Sequence, residues 1–473
     1  VPLSAGRRAG RRAGDRRLKD RVQRMQDKVD RPGQEAPPGS ARERGLSAAK
    51  AGVKFGKNYA RYLSRRAAGT DRTVARQEMH SRNAEDLFSE LSRLRGTALK
   101  MAQGLSMEPG FLPEQFSDVL ARAQYDVPAM GPALVHRLVT QALGAPPEEI
   151  FAEFSGHAMA AASLGQVHPA RLKDGTRVVV KVQYPNVRES VDSDLRLVRG
   201  IAGRFVDKEA VDPYLEEVRD LMMEETDYRI EGANIEEFAH LFEGTQVVTP
   251  RWIEALTTER VLTMTHMEGQ HLKEWLAGNP SQAERDHFGQ LLWDVIHEQV
   301  VGDSLRVHAD AHPGNFLFRE DGRLGLLDFG CIKTFPVGFR DGLVGLYHAR
   351  MAGNAEALQA SYTDLEMLPA DMDEEGRMYL LDILDTLGGI IESLYRPDTY
   401  DFGKGRLLEQ FQAVIPQITG REAFKHRRPV GSRHFVFVNR LLAGMLSILS
   451  QLGARIDTRR AKALLQGVGS AAG

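Results

Sequence analysis

The sequence predicts an α+β protein of two lobes, a small sheet-rich lobe followed by a larger helical one, with a helical extension ahead and a helical tail behind. Three observations predict it. Helical periodicity prevails before about residue 150, strand signals cluster between 151 and 270, and helical periodicity returns after about Val337. With 473 residues, 42% of them hydrophobic, the chain can bury a sizeable core in each lobe. The corresponding division is a disordered basic arm over 1–45, the helical extension over 46–150, the first lobe over 151–270, and the second lobe with its tail over 271–473.

The total charge of −2 conceals a split. Residues 1–76 carry 21 Lys/Arg against 7 Asp/Glu, a net of +14, so the remainder carries −16. The arm has two Arg-Arg-Ala-Gly repeats and a Pro-rich stretch from Arg31 to Gly39, and it holds too little apolar surface to offset the entropy of ordering. It could meet an anionic membrane surface, where each Lys or Arg contributes roughly 1 kcal/mol. No aromatic residue precedes Phe55 to stack on bases, so no nucleic-acid partner is expected. The single cysteine, Cys331, excludes a disulfide framework and suits a reducing, cytoplasmic setting. The most apolar segment, Phe435 to Leu452, contains Asn439 and Arg440 and reads as a buried helix, so attachment at an inner membrane would be peripheral.

Taken in order, Leu87, Phe88, Leu91 and Leu94 share one helical face, followed by Leu99 to Gln103 and a further helix from Pro113 to Gln124. The segment Ala158–Leu172 and the segment Arg177–Gln183 read as strands joined by a turn at Lys173-Asp174-Gly175. Helices follow at about Val187–Phe205 and Pro213–Phe242, then a strand pair, Gln246–Trp252 with Arg260–Met264. A helix over Glu284–Val301 leads to a hairpin, Asn315–Phe318 with Leu324–Leu327, and everything after Val337 reads as helical.

The chemistry concentrates in His308-Ala-Asp-Ala-His-Pro-Gly-Asn315 and Leu326-Leu-Asp-Phe-Gly330. Phosphoryl transfer from ATP needs a carboxylate to orient the acceptor and oxygen ligands for Mg²⁺ beside the phosphates. Asp310 fits the first role, and the hairpin would bring Asn315 and Asp328 together for the second. Lys181, in Val178-Val-Val-Lys181, matches a strand lysine that contacts the α- and β-phosphates; alone it could equally be an outward charge on an edge strand. Glu224 to Glu231 supplies carboxylates to hold that lysine, and on one continuous helix Asp227 and Glu231 would share a face while Glu225 points elsewhere. No G-x-G-x-x-G precedes Lys181 and no A-P-E follows D-F-G, which disfavours an ordinary protein kinase. The phosphate-covering loop falls to Ala160, Ala161, Ala162 and Ser163, ending at Gly165, whose small side chains admit close backbone approach.

At these residues the sequence resembles the ABC1/UbiB/AarF family of atypical kinase-like proteins, associated with coenzyme Q in bacteria and mitochondria. Ala160 to His168 resembles the family's alanine-rich loop, Val180 to Pro185 its lysine strand, and Glu225-Thr-Asp227 its E-x-D motif, with Glu231 in the position of the lysine-pairing acid. Lys100-Met-Ala-Gln103 resembles its K-x-G-Q helix and His308 to Asn315 its H-A-D-P-H-P-G-N loop. Ala102 departs from the Gly of the first motif and Ala311 from the Pro of the second.

The resemblance implies a protein-kinase-like fold binding ATP or ADP with Mg²⁺ between the lobes. It also implies slow ATP hydrolysis or phosphoryl transfer supporting quinone biosynthesis or lipid homeostasis. Lys181, Glu231 and Asp310 would be catalytic, Asn315 and Asp328 would hold the metal, and Lys100, Gln103, Glu225 and Asp227 would gate the site. Adenine would meet backbone groups around Met267, and a quinone-like lipid is a further candidate partner. The alternatives are a small-molecule kinase of the aminoglycoside or choline type and a nucleotide-gated scaffold without turnover.

Overall fold

The computed structural model describes residues 57–68, 71, 78–79 and 82, and then 129–467 apart from 163, 203–207, 369–371, 420–431 and 433. The expectations for the arm 1–45, for the helices between 84 and 128 with Lys100 and Gln103, and for Ser163 fall outside the described residues.

Helices α1 (Pro132–Leu143) and α2 (Pro147–Ile150) lead into the strands β1 (Glu153–Phe154), β2 (Ala160–Ala162), β3 (Gly165–Arg171) and β4 (Arg177–Gln183). The Asp174-Gly175 turn joins β3 to β4: the Asp174 carboxylate accepts from the Thr176 amide at 2.8 Å, and Gly175 takes a left-handed φ of 89°. Side chains on β4 alternate between two buried faces. Val178, Val180 and Val182 pack with Val135 and Val139 of α1. Val179 packs into the main core on the other face, the face that strand alternation gives to Lys181.

Next come α3 (Val187–Ala202), α4 (Lys208–Glu225) and α5 (Tyr228–Leu241). The single helix expected over 213–242 is therefore two. Thr226 and Asp227 interrupt it because Asp227 takes extended backbone angles and caps α5, accepting from the Arg229 amide at 3.0 Å. The Thr226 carbonyl is meanwhile held by Gln183 Nε2 at 3.0 Å. The position of α5 against the sheet depends on Gly232, where a Cβ would overlap the indole of Trp252.

The expected strand pair also divides. Strand β5 (Val247–Val248) runs parallel to a strand of the second lobe, whereas β6 (Val261–Thr265) pairs antiparallel with β4. Only an isolated bridge, Trp252 with Met264, keeps the anticipated partnership. The first-lobe sheet thus runs β1-β3-β4-β6, with β2 also on β3.

The second lobe opens with α6 (Leu272–Ala277) and α7 (Gln282–Val301), whose start is a capping box between Ser281 and Glu284. Then come β7 (Arg306–His308), a single 3₁₀ turn (Pro313–Asn315), β8 (Phe316–Phe318), β9 (Leu324–Leu326) and β10 (Ile332–Thr334). The β8–β9 hairpin forms as expected, and β10 returns to pair with β7. The tail holds α8 (Val337–Ala352), α9 (Ala355–Asp364), α10 (Glu374–Tyr395), α11 (Leu407–Thr419), α12 (Phe435–Leu452) and α13 (Arg459–Gly467). It is not wholly helical: β11 (Thr399–Asp401) and β12 (Arg455–Asp457) form a two-stranded sheet. Helix α12 is buried through Leu441, Met445, Leu449 and Leu452, and among the described residues no helix is long and apolar enough to cross a membrane. The mixed kinase-like architecture with C-terminal helices is the one the sequence predicts.

On the buried face of α7, His297 bridges the Trp293 carbonyl at 2.7 Å and the Tyr395 hydroxyl at 2.8 Å. Burial pushes its imidazole down to about 4. The unfolded chain therefore binds more protons between that value and the ordinary 6.5, so stability falls as pH drops through this window, by roughly 3 kcal/mol at most from this residue. Denaturant midpoints measured from pH 7 to pH 4 should show this loss, and His297→Gln should flatten that limb of the profile.

Candidate active site

Strand β4 and helix α5 bring the central pair together. Lys181 is 4% exposed and Glu231 3% exposed. The Lys181 ammonium donates to both carboxylate oxygens of Glu231, at 2.7 and 2.9 Å, and approaches Asp328 Oδ2 at 3.5 Å. Burial opposes this charge, but Asp328 and Glu231, with the Tyr228 ring 5.1 Å away, hold the ammonium well above its ordinary pKa. Lys181 is thus a charged group inside the protein, and the edge-strand alternative is excluded because β6 covers β4 on its far side.

Asp328 lies one residue beyond the end of β9, after Leu327, and its Oδ1 accepts from the Gly330 amide at 2.9 Å. Phe329 is fully buried, with its ring against Phe238 and His308. Two side chains that the sequence reading passed over secure this segment. Asn234 of α5 donates to the Phe329 carbonyl at 3.0 Å and accepts from Arg306 at 2.8 Å. His308 contacts the Asp328 carbonyl through Nε2 and receives the Asp310 amide on Nδ1 at 3.4 Å, which assigns the Nε2–H tautomer. The amide of His308 is itself held by buried Gln299 at 2.7 Å. A helix residue one turn from Glu231 and a histidine beside the loop aspartate were the available signals.

In the loop, Asn315 donates its Nδ2 to the Asp310 carbonyl at 3.0 Å, which turns Oδ1 away from that contact. The Leu327 amide donates to the Asn315 carbonyl at 3.0 Å, so the hairpin brings Asn315 and the Asp328 segment to one edge. The Asp310 carboxylate meets Arg440 of α12 at 2.8 Å, a partner the sequence reading did not anticipate.

The remaining expected residues divide. Ala160, Ala161 and Ala162 form strand β2 of a hairpin, not a loop, with Ala160 and Ala161 exposed. Glu225, 5% exposed at the end of α4, lies beside Gly330. Asp227 does not share a face with Glu231; as the cap of α5 it pairs with Arg229, which holds its carboxyl below the usual range. Around Met267, the His266 amide donates to the Arg177 carbonyl and the Glu268 carbonyl accepts from Arg319. Half-buried Met267 between them rests its sulfur over Gly325.

The donor set fits Mg²⁺. Among the described residues no three His, Cys, Asp or Glu side chains cluster into a metal cage. An Asn315–Asp328 pair would leave the other positions to phosphate oxygens and water, as Mg²⁺ prefers.

Removing Glu231 leaves the buried Lys181 ammonium with Asp328 alone, at 3.5 Å, and breaking a buried ion pair costs up to about 3–5 kcal/mol. Glu231→Leu should therefore lower stability by that order in chemical denaturation. Glu231→Leu combined with Lys181→Met should recover much of the loss.

The family model described as the ABC1 atypical kinase-like domain matches residues 122–362, just over half the chain. The uncharacterized protein sll0005 of Synechocystis is 31% identical over 73% of this chain and 50% of its own length. The mitochondrial atypical kinase COQ8 of Saccharomyces cerevisiae is 30% identical over 59% of this chain and 56% of its own. The chain spans about half the length of the curated relatives it matches. A solved structure, that of the complex of Rv3197 with erythromycin from Mycobacterium tuberculosis, superposes with a TM-score of 0.55 at 25% identity, covering 84% of this chain and 98% of that one. The chain belongs to the ABC1 atypical kinase-like family.

Proposed function

We propose that this chain binds Mg-ATP between its lobes and uses it for slow hydrolysis or phosphoryl transfer in support of quinone biosynthesis or lipid homeostasis. The observation that carries the reading is the buried Lys181 ammonium, held by Glu231 and facing Asp328. A lysine so placed is suited to the α- and β-phosphates. Asn315 and Asp328 would hold Mg²⁺, which when bound would supply positive charge to offset that of the phosphates. Asp310 would orient the attacking hydroxyl or water. The alanine hairpin over Ala160–Ala162 would cover the phosphates, and backbone groups at Met267 would meet the adenine. Glu225 and Asp227, with Lys100 and Gln103 beyond the described residues, would gate access for a quinone-like or other lipid substrate.

Thermal stabilisation by Mg-ATP and Mg-ADP tests the reading, together with ATP turnover with and without anionic liposomes. Wild-type chain should show a nucleotide-dependent shift, and Asp328→Asn should lose most of it. Lys181→Ala should weaken nucleotide binding at least tenfold under conditions where the variant, less stable for want of its ion pair, remains folded. No shift in the wild type would overturn the site; a shift without turnover in any lipid would favour a nucleotide-gated scaffold.

We assign the basic arm to an anionic membrane surface. Deleting residues 1–45 should reduce liposome binding at low salt and spare nucleotide binding, as sedimentation with vesicles would measure. The erythromycin complex of the solved neighbour supports a second reading, a small-molecule kinase. Rapid formation of a phosphorylated small molecule would establish it over the first.

A further inference from the structure

Helix α12 lies beyond the segment matched by the family model, which ends at residue 362, yet it touches the loop that carries Asp310 at two successive turns. Arg440 and Gly444 are one turn apart and therefore on one face. Arg440 Nη2 meets Asp310 Oδ1 at 2.8 Å, with 23% of each side chain accessible. At Gly444 the helix sits so close to the loop that a Cβ would overlap the Ala311 carbonyl oxygen and crowd its Cβ. Leu441, Met445 and Leu449 bury the helix in the main core, so the guanidinium is carried by a fixed scaffold.

From this juxtaposition we propose that Arg440 is a positioning residue for Asp310, so that the C-terminal helix completes the site. The proposal rests on the kinase-like reading of the previous subsection. Through its contact with Oδ1, Arg440 fixes the orientation of the carboxylate that would receive the hydrogen bond of the attacking hydroxyl or water. In phosphoryl transfer the bond to the leaving group is largely broken before the nucleophile commits, so orientation of that nucleophile counts for more than the basicity of the aspartate. An arginine that fixes the geometry of that carboxylate therefore aids the reaction. The close approach at Gly444 sets the height of the helix above the loop, which decides whether the guanidinium reaches.

The full chain carrying Arg440→Met, and separately Arg440→Lys, provides the test. In Arg440→Met, turnover of Mg-ATP should fall at least tenfold while Mg-ADP affinity stays within about threefold of wild type, and Arg440→Lys should restore part of the rate. Amide hydrogen exchange over residues 309–313 should accelerate at least tenfold in Arg440→Met and return toward wild type in Arg440→Lys. Unchanged or raised turnover in Arg440→Met with intact Mg-ADP binding would overturn the proposal, making the contact packing or a brake. Failure of the wild-type chain to bind Mg-ADP would instead remove the nucleotide reading. In that case, or if the wild type binds but does not turn over, the exchange measurement decides. Protection unchanged by loss of the guanidinium would mean that Arg440 does not position the loop.

Discussion

The constraint on which the rest depends is a lysine ammonium sealed inside the smaller lobe. Strand β4 is buried on both faces beyond its exposed first residue, Arg177, and at one of those buried positions the side chain is charged. An isolated charge there would not be tolerated, so the surroundings of Lys181 must supply opposite charge with defined geometry. Glu231 does so from α5 and Asp328 from the end of β9. Because those two residues belong to different lobes, a local electrostatic demand fixes how the lobes meet. The remaining devices serve this arrangement: Gly232 admits Trp252 behind α5, Asn234 ties the helix to the Phe329 carbonyl, and His308 links the two aspartate-bearing segments.

Helix α5 carries much of this burden, and its beginning is as important as its face. Had α4 run on into α5, Glu231 would lie wherever the phase of a long helix placed it. The interruption at Thr226 and Asp227 resets that phase. Gln183 and Arg188 anchor the interruption to Thr226, at 3.0 Å each, so the strand bearing Lys181 also fixes where the helix bearing its partner starts.

Much of the site was legible because its parts are local. The loop from His308 to Asn315, the hairpin and Asp328 are contiguous, and a turn between two short strands determines their relation. Lys181 stood out as a charge among valines. What escaped was decided by single residues or by distant packing. Asp227 looked like one more acid on a helix, although Asp directly before Tyr228-Arg-Ile-Glu231 is a capping signal. Strand β5 is only two residues long, and periodicity cannot choose its partner. Arg440 looked like a polar interruption in an apolar helix, since nothing in its neighbourhood announces Asp310. The residues between 84 and 128, with Lys100 and Gln103, fall outside the described structure.

The burial of Phe329 bears on how such a cleft could be blocked. A compound that required this aromatic ring to swing outward would first have to empty its site. Here the ring is enclosed by Phe238 and His308, and its carbonyl is fixed by Asn234. Vacating a packed aromatic site costs about 3–5 kcal/mol, and the broken hydrogen bond adds to that. Such a compound would need to recover roughly two to four powers of ten in affinity before any net binding appeared. A nucleotide bound as proposed, beside the alanine hairpin and Met267, would leave that ring undisturbed.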